Sequence, residues 1–228
     1  EVISSIGVAL ALVRDVDLRL IPHPKPEDLV AIRREAPEAV VRLGADPAGV
    51  DVTVEVDPQT HRVRATAMGA AEMHVKDAAG GISEREAKSI AVRSLALAAE
   101  QVRLAAASAG MRVFQADGDG ARAVRAIDWS GAIRVQRSRA HVAQSTAGGI
   151  AAAIDALWRK AGGQEGAASE HPGLVLLYAR HLVDLSGVED LGQAKALAES
   201  ELDSKPSDTE VALIAMPAHE AAPQSQDP

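Results

Sequence analysis

The stretch VDVTVEVDPQTHRVRATA, residues 50–67, decides the fold. Val50, Val52, Val54 and Val56 alternate with Asp51, Thr53, Glu55 and Asp57, the period of a strand with one buried face. Asp57-Pro58-Gln59-Thr60 supplies turn chemistry with Pro at its second position. Val63, Ala65 and Ala67 then alternate with Arg62, Arg64 and Thr66, so the segment predicts a β-hairpin.

Working outward, helical patterns flank the hairpin on both sides. Pro26 sits at a favoured first-turn position, with Glu27 and Asp28 complementing the dipole. A helix is expected from there to about Leu43, stopping at Gly44 and kinked or broken at Pro37. Ser83-Glu84-Arg85-Glu86 is a capping box, and the helix it opens is expected to reach about Ala107 and end near Gly110. Its apolar positions span a wide arc, as in a helix buried against a sheet. Residues 2–13 read as a further short helix, since Val2, Ile3, Ile6, Ala9, Leu10 and Val13 recur at helical spacing. Ile21-Pro22-His23-Pro24-Lys25-Pro26 is an extended connector, because each Pro disfavours helix at the residue before it.

The C-terminal half mixes both periodicities. Strands are expected at 111–116, 123–127, 132–135, 174–178 and 211–216. The run at 174–178 is apolar throughout, as in a central strand. Helices are expected at 147–160, capped by Ser145 or Thr146, and at 191–202. Residues 162–169 read as a loop. Residues 217–228, polar and Pro-rich, read as a disordered tail. Helices mixed with strands joined by tight turns predict an α+β fold, a mixed sheet with β-hairpins packed against long Ala-rich helices. The expected organisation is a helix-bearing segment at 1–22, an α+β domain at 23–216 and the tail at 217–228.

Composition narrows the function. The 228 residues carry 47% hydrophobic and 25% charged side chains, but only 2% aromatics, so the core is built from Val, Leu, Ile and Ala. A net charge of -8 repels phosphate backbones. The most basic region, 112–139, is interrupted by Asp117, Asp119 and Asp128 and lacks the aromatics that stack bases; nucleic acid is not an expected partner. No apolar run has the length of a membrane span. The absence of cysteine removes disulfides and thiolate chemistry together and fits a cytoplasmic protein.

Few residues suggest chemistry. Thr146-Ala147-Gly148-Gly149 opens a predicted helix, where backbone N–H groups and glycines can hold a phosphate or carboxylate. Ser145, Thr146, Gly148 and Gly149 are thus a candidate anion site, although a capped helix with packing glycines explains the same residues. No Lys-Ser/Thr follows, so this is not a P-loop. Asp117-Gly118-Asp119-Gly120 resembles half a calcium loop but lacks the later Glu, and Asp-Gly is the commonest turn dipeptide. His23, His61, His74, His141, His171, His181 and His219 form no tight ligand pair. His171, His181, Asp184 and Ser186 gather near the ends of the 174–178 strand, where polar loop residues are the commoner explanation than acid–base work. No catalytic residue and no metal site are assigned.

Two stretches carry a resemblance. EVISSIGVALALVRD, residues 1–15, is similar to the small-residue helix that closes the actin-like ATPase core of the hydantoinase/oxoprolinase family. GADPAGVDVTVEVDPQTHRVRATAMGAAEM, residues 44–73, resembles a hairpin segment that follows that core. Together they cover about the first third of the chain, and neither is a catalytic signature. The resemblance implies a C-terminal accessory portion of an ATP-dependent cyclic-amide hydrolase. Its ATP and magnesium sites would lie N-terminal to Glu1, and its partner, the upstream ATPase core or another subunit, would be met through the residue 2–13 helix. Two other expectations stand beside this one: a stand-alone module binding a small ligand or partner without catalysis, and a reactivating-factor-like chaperone of the actin-like ATPase class.

Overall fold

The computed structural model describes residues 12–45, 47–70, 81–162 and 171–217. The elements run β1 (Leu12–Leu20), α1 (Pro26–Arg42), β2 (Asp51–Asp57), β3 (Arg62–Ala70), α2 (Glu84–Leu95), β4 (Val102–Ser108), β5 (Met111–Ala116), β6 (Arg122–Asp128), β7 (Ile133–Thr146), α3 (Ile150–Lys160), β8 (Gly173–Tyr178), β9 (His181–Gly187), α4 (Leu191–Leu202) and β10 (Glu210–Met216). The described strands form one mixed ten-stranded sheet in the order β1-β3-β2-β9-β8-β10-β7-β6-β5-β4, as the α+β reading expects. Its one parallel pair is β2 with β9.

The residue 50–67 hairpin forms as predicted. Val52 lies opposite Ala67 and Val54 opposite Ala65, all four buried. The Asp57 carboxylate accepts from the Gln59 and Thr60 amides and the Thr60 hydroxyl, which closes the turn. Ser83 and Glu86 make both bonds of the capping box.

One strand bends the sheet over itself. β7 is 14 residues long; its first part pairs with β6 and its last with β10. Beyond that bend β4–β7 lie over one face of β8 and β10, while α1, α3 and α4 cover the other. Alternate residues of the central strands therefore enter opposite cores. Leu174, Leu176, Leu213 and Ala215 face the three helices. Val175, Leu177, Ala212 and Ile214 face Met111, Val113, Val124 and Ala126. Burial on both sides is why β8 and β10 read as continuous apolar runs rather than alternating ones. α2 packs on the outer surface of the second layer, with Ala87 and Ala91 against Val102, Phe114 and Ile127.

Four expectations are corrected. The capping-box helix ends at Leu95, where Ala96 turns left-handed at φ 53, and residues 102–108, expected to be helix, pair with β5 as a strand. The Ala-rich propensity of that segment yields to pairing and to burial of Val102 and Ala106. Leu12 and Val13, expected to end a helix, begin a nine-residue strand, each residue of which pairs with β3. Residues 12–20 are thus part of the sheet that the sequence set apart from residue 23 onward; the rest of the expected helix at 2–13 lies outside the described residues. Residues 181–187 form a strand hydrogen-bonded to β8 and not the polar loop expected there. α1 continues through Pro37, so the break expected there as the alternative to a kink does not occur. The loop expected at 162–169 and the tail at 217–228 lie almost wholly outside the described residues.

Candidate functional site

A polar cluster lies on the helix side of the sheet, where β8 turns into β9. β8 delivers Tyr178 and β9 delivers His181, directly opposite one another in the hairpin. Their rings stack with centroids 5.0 Å apart. α1 contributes Arg33 and α4 contributes Glu201, joined by an ion pair of 2.9 Å. Arg33 also donates to the Val52 carbonyl at 2.8 Å, and the Tyr178 hydroxyl donates to the second oxygen of Glu201. Lys205, just beyond α4, holds its ammonium 5.9 Å from the Tyr178 ring centroid.

Burial and neighbouring charges shift three members of the cluster, Tyr178, Glu201 and His181. Burial, reinforced by the Glu201 charge, pushes the Tyr178 phenol far above its ordinary range and keeps it a donor. Burial pushes Glu201 upward, but the charge of Arg33 and the bonds from Tyr178 and Arg33 outweigh it; the net shift is downward and the carboxylate stays ionised. His181 is pushed down by burial, with Lys205 and Arg33 adding to that and Glu201 and Asp51 opposing it. Proton transfer near neutrality needs a group poised there with a reacting partner in reach. Here the one hydroxyl is committed to Glu201, so the cluster is a clamp that ties α1 and α4 to β2 and β8.

The downward shift of His181 predicts acid lability. A histidine that resists protonation when folded contributes stability that is complete above its unfolded value of 6.5 and is lost as pH falls from there toward its lower folded value. Glu201 extends the loss at more acidic pH, below its ordinary 4.5. Asp51, raised above 3.8 by burial against the opposing charge of Arg134, has the opposite sign in that acidic range. His141, lowered by burial and by Lys160 and Arg139, acts like His181. Thermal unfolding between about pH 7.5 and 5.5 is expected to show Tm falling with pH, less steeply in His181→Gln and least in His181→Gln/His141→Gln.

At the residue 145–149 segment a single 3₁₀ turn, Ala147–Gly149, precedes α3. The amides of Ala147 and Gly148 donate to the carbonyls of Thr209 and Ser207 at 2.9 and 2.8 Å. The Ser145 hydroxyl donates to the Thr146 carbonyl. Those donors thus serve the chain itself, and neither Thr146 nor Gly149 caps the helix with a side chain. At the far end of β8, His171 Nε2 lies 3.7 Å from Glu189, while Asp184 accepts from the Ser186 amide. His171 and Ser186 therefore sit away from His181, which is at the other end of the hairpin. The Asp128 carboxylate closes the turn after β6, accepting from the amides of Ser130 and Ala132. Among the described residues no group of three or more His, Asp or Glu side chains is placed to hold a metal, and no helix is long and apolar enough to cross a membrane.

Sequence reasoning missed a second feature, the open face of β1 and β3. Among the described residues β1 is an edge strand. Leu12 (72%), Val16 (44%), Leu18 (50%), Leu20 (72%) and Met68 (38%) are exposed on this one face. They are five of the eight exposed large hydrophobics among the described residues, so the patch is concentrated and not a scatter of single side chains. Arg14 and Arg62 lie exposed among them, and Arg64 pairs loosely with Glu55 at 3.6 Å. The signal was present as the alternation of Val16, Leu18 and Leu20 with Asp15, Asp17 and Arg19.

No protein family, curated protein or solved structure matches this chain.

Proposed function

We propose that this chain is an accessory docking module without chemistry of its own, which joins a larger protein through the open face of β1 and β3. The observation that carries the reading is the row Leu12, Val16, Leu18, Leu20 and Met68, exposed on one sheet face beside Arg14 and Arg62. An apolar patch rimmed by charge is the usual mark of a protein interface. What supports the absence of chemistry is the state of the polar cluster, in which Tyr178, Glu201 and Arg33 satisfy one another and leave no free nucleophile. The resemblance at residues 1–15 and 44–73 makes the partner an actin-like ATPase core of the hydantoinase/oxoprolinase type, with ATP and magnesium held by that partner. β1 begins inside the first of these stretches, so the partner would meet the sheet where the resemblance places the end of its core.

Two measurements test this together. The isolated chain is expected to turn over neither ATP nor a hydantoin above the buffer rate. Val16→Lys/Leu18→Lys, two substitutions on the exposed face, is expected to keep the wild-type Tm within about 2 °C. The same variant is expected to lose its association with the partner in source cells. Turnover by the isolated chain, or undiminished association of the variant, overturns the reading.

A further inference from the structure

We propose that His23 and His61 form a two-histidine site for a borderline transition-metal ion of the zinc, nickel or copper class. The site lies where the connector between β1 and α1 meets the turn between β2 and β3, and it is independent of the docking surface.

The two residues are far apart in sequence, so no spacing motif announces them, yet the fold brings their rings together. The centroids are 5.7 Å apart and the planes are tilted by 59°. An ion held by one nitrogen of each ring at about 2.0–2.1 Å sets the centroids about 5 Å apart at a tetrahedral angle and about 6.5 Å apart when the two nitrogens are opposed. The observed separation lies between these limits. Imidazole nitrogen suits zinc, nickel and copper, whereas magnesium and calcium take oxygen ligands. Both side chains are exposed, so an ion can reach them and solvent can fill its remaining positions.

The backbone holds the pair in place without help from the rings. The Ile21 amide donates to the His61 carbonyl at 2.8 Å and ties the connector to the turn. Pro22 and Pro24 flank His23 and restrict its backbone, and the Asp57 carboxylate closes the turn that carries His61. Ligands preorganised in this way lose little freedom when an ion binds. Both residues also adopt a left-handed backbone, with φ 52 at His23 and 55 at His61. Residues other than glycine seldom do so, and such positions gather at ligand clamps. Among the described residues only Ala96 and Ala179 share this conformation outside glycine, so half of the cases fall on two histidines whose rings meet.

Calorimetric titration of the chain with zinc chloride is expected to show saturable binding, and the same titration with magnesium chloride none. His23→Asn and His61→Asn are each expected to weaken zinc binding at least about tenfold. Asparagine tolerates a left-handed backbone, so both variants should keep the wild-type Tm without metal, which separates loss of a ligand from loss of fold. In NMR spectra of the wild-type chain, zinc is expected to move the ring signals of His23 and His61 together and to leave those of His141 and His181 in place. The site is overturned if either single variant binds zinc as tightly as the wild type. It is equally overturned if the two ring signals respond at different zinc concentrations, or if no saturable binding occurs at submillimolar zinc. Val16→Lys/Leu18→Lys is expected to bind zinc as the wild type does, so the metal site and the docking surface can fail separately.

Discussion

Arg33→Ala is expected to lower stability by about 3 kcal/mol, which for a chain of this size lowers Tm by roughly 6–12 °C. The Arg33 side chain is 7% exposed and its partner Glu201 22%, so both charges are largely withdrawn from water. Removing the guanidinium leaves two groups short of a partner, the Glu201 carboxylate and the Val52 carbonyl, with only the Tyr178 hydroxyl still donating to Glu201. The buried charge is the dominant loss, because an uncompensated carboxylate costs far more than a weakened neutral bond. Arg33→Met/Glu201→Leu removes both charges and restores apolar volume, and should recover more than half of the loss. Chemical denaturation of the two variants checks this. If the double variant is as unstable as Arg33→Ala alone, the pair is not what holds α1 to α4.

Phe114→Ala is expected to cost about 3–5 kcal/mol, and the damage should be local. Phe114 is fully buried beneath α2, which rests on Val102, Phe114 and Ile127 through the small faces of Ala87 and Ala91. The other anchor of that helix is polar: Arg125 donates to the Ser94 hydroxyl at 2.6 Å and to the Ser94 carbonyl. A phenyl-sized void under so few contacts frees the helix before it disturbs the sheet. Native-state hydrogen exchange should show amides of α2 losing protection while those of α1 and α4, packed on the other core, keep theirs. Uniform loss across all four helices would mean that the cores are not separable.

Much of this fold was legible where one local signal agreed with the tertiary context. The residue 50–67 hairpin combined a strict period with its own turn chemistry, and the structure keeps both. The Ser83 box announced a helix start that its hydrogen bonds bear out. The expected end of that helix failed, because the Ala-rich segment through Ala107 satisfies helical propensity equally well. Only pairing with β5 and the left-handed turn at Ala96 favour strand, and neither is visible in a local window. Likewise, nothing local shows that β7 serves two layers or that Gln144 closes an edge 37 residues away in sequence. Of the candidate site residues, the glycines at 148 and 149 did open a helix, but the carbonyls of Ser207 and Thr209 that engage this turn come from the far end of the chain. The Arg33–Glu201 pair spans 168 residues, so no motif could announce it. The exposed row on β1 was written plainly in the alternation at 16–20, but a helical reading of residues 2–13 ran into its start.

The central claim is that the open face of β1 and β3 is where this chain meets its partner. A photo-crosslinking side chain placed at Met68, on that face but one strand in from the edge, tests it in the source cells. A dominant adduct is predicted with a protein bearing an actin-like ATPase core, absent when the same group stands at Glu100. Equal, diffuse labelling from both positions would contradict the claim.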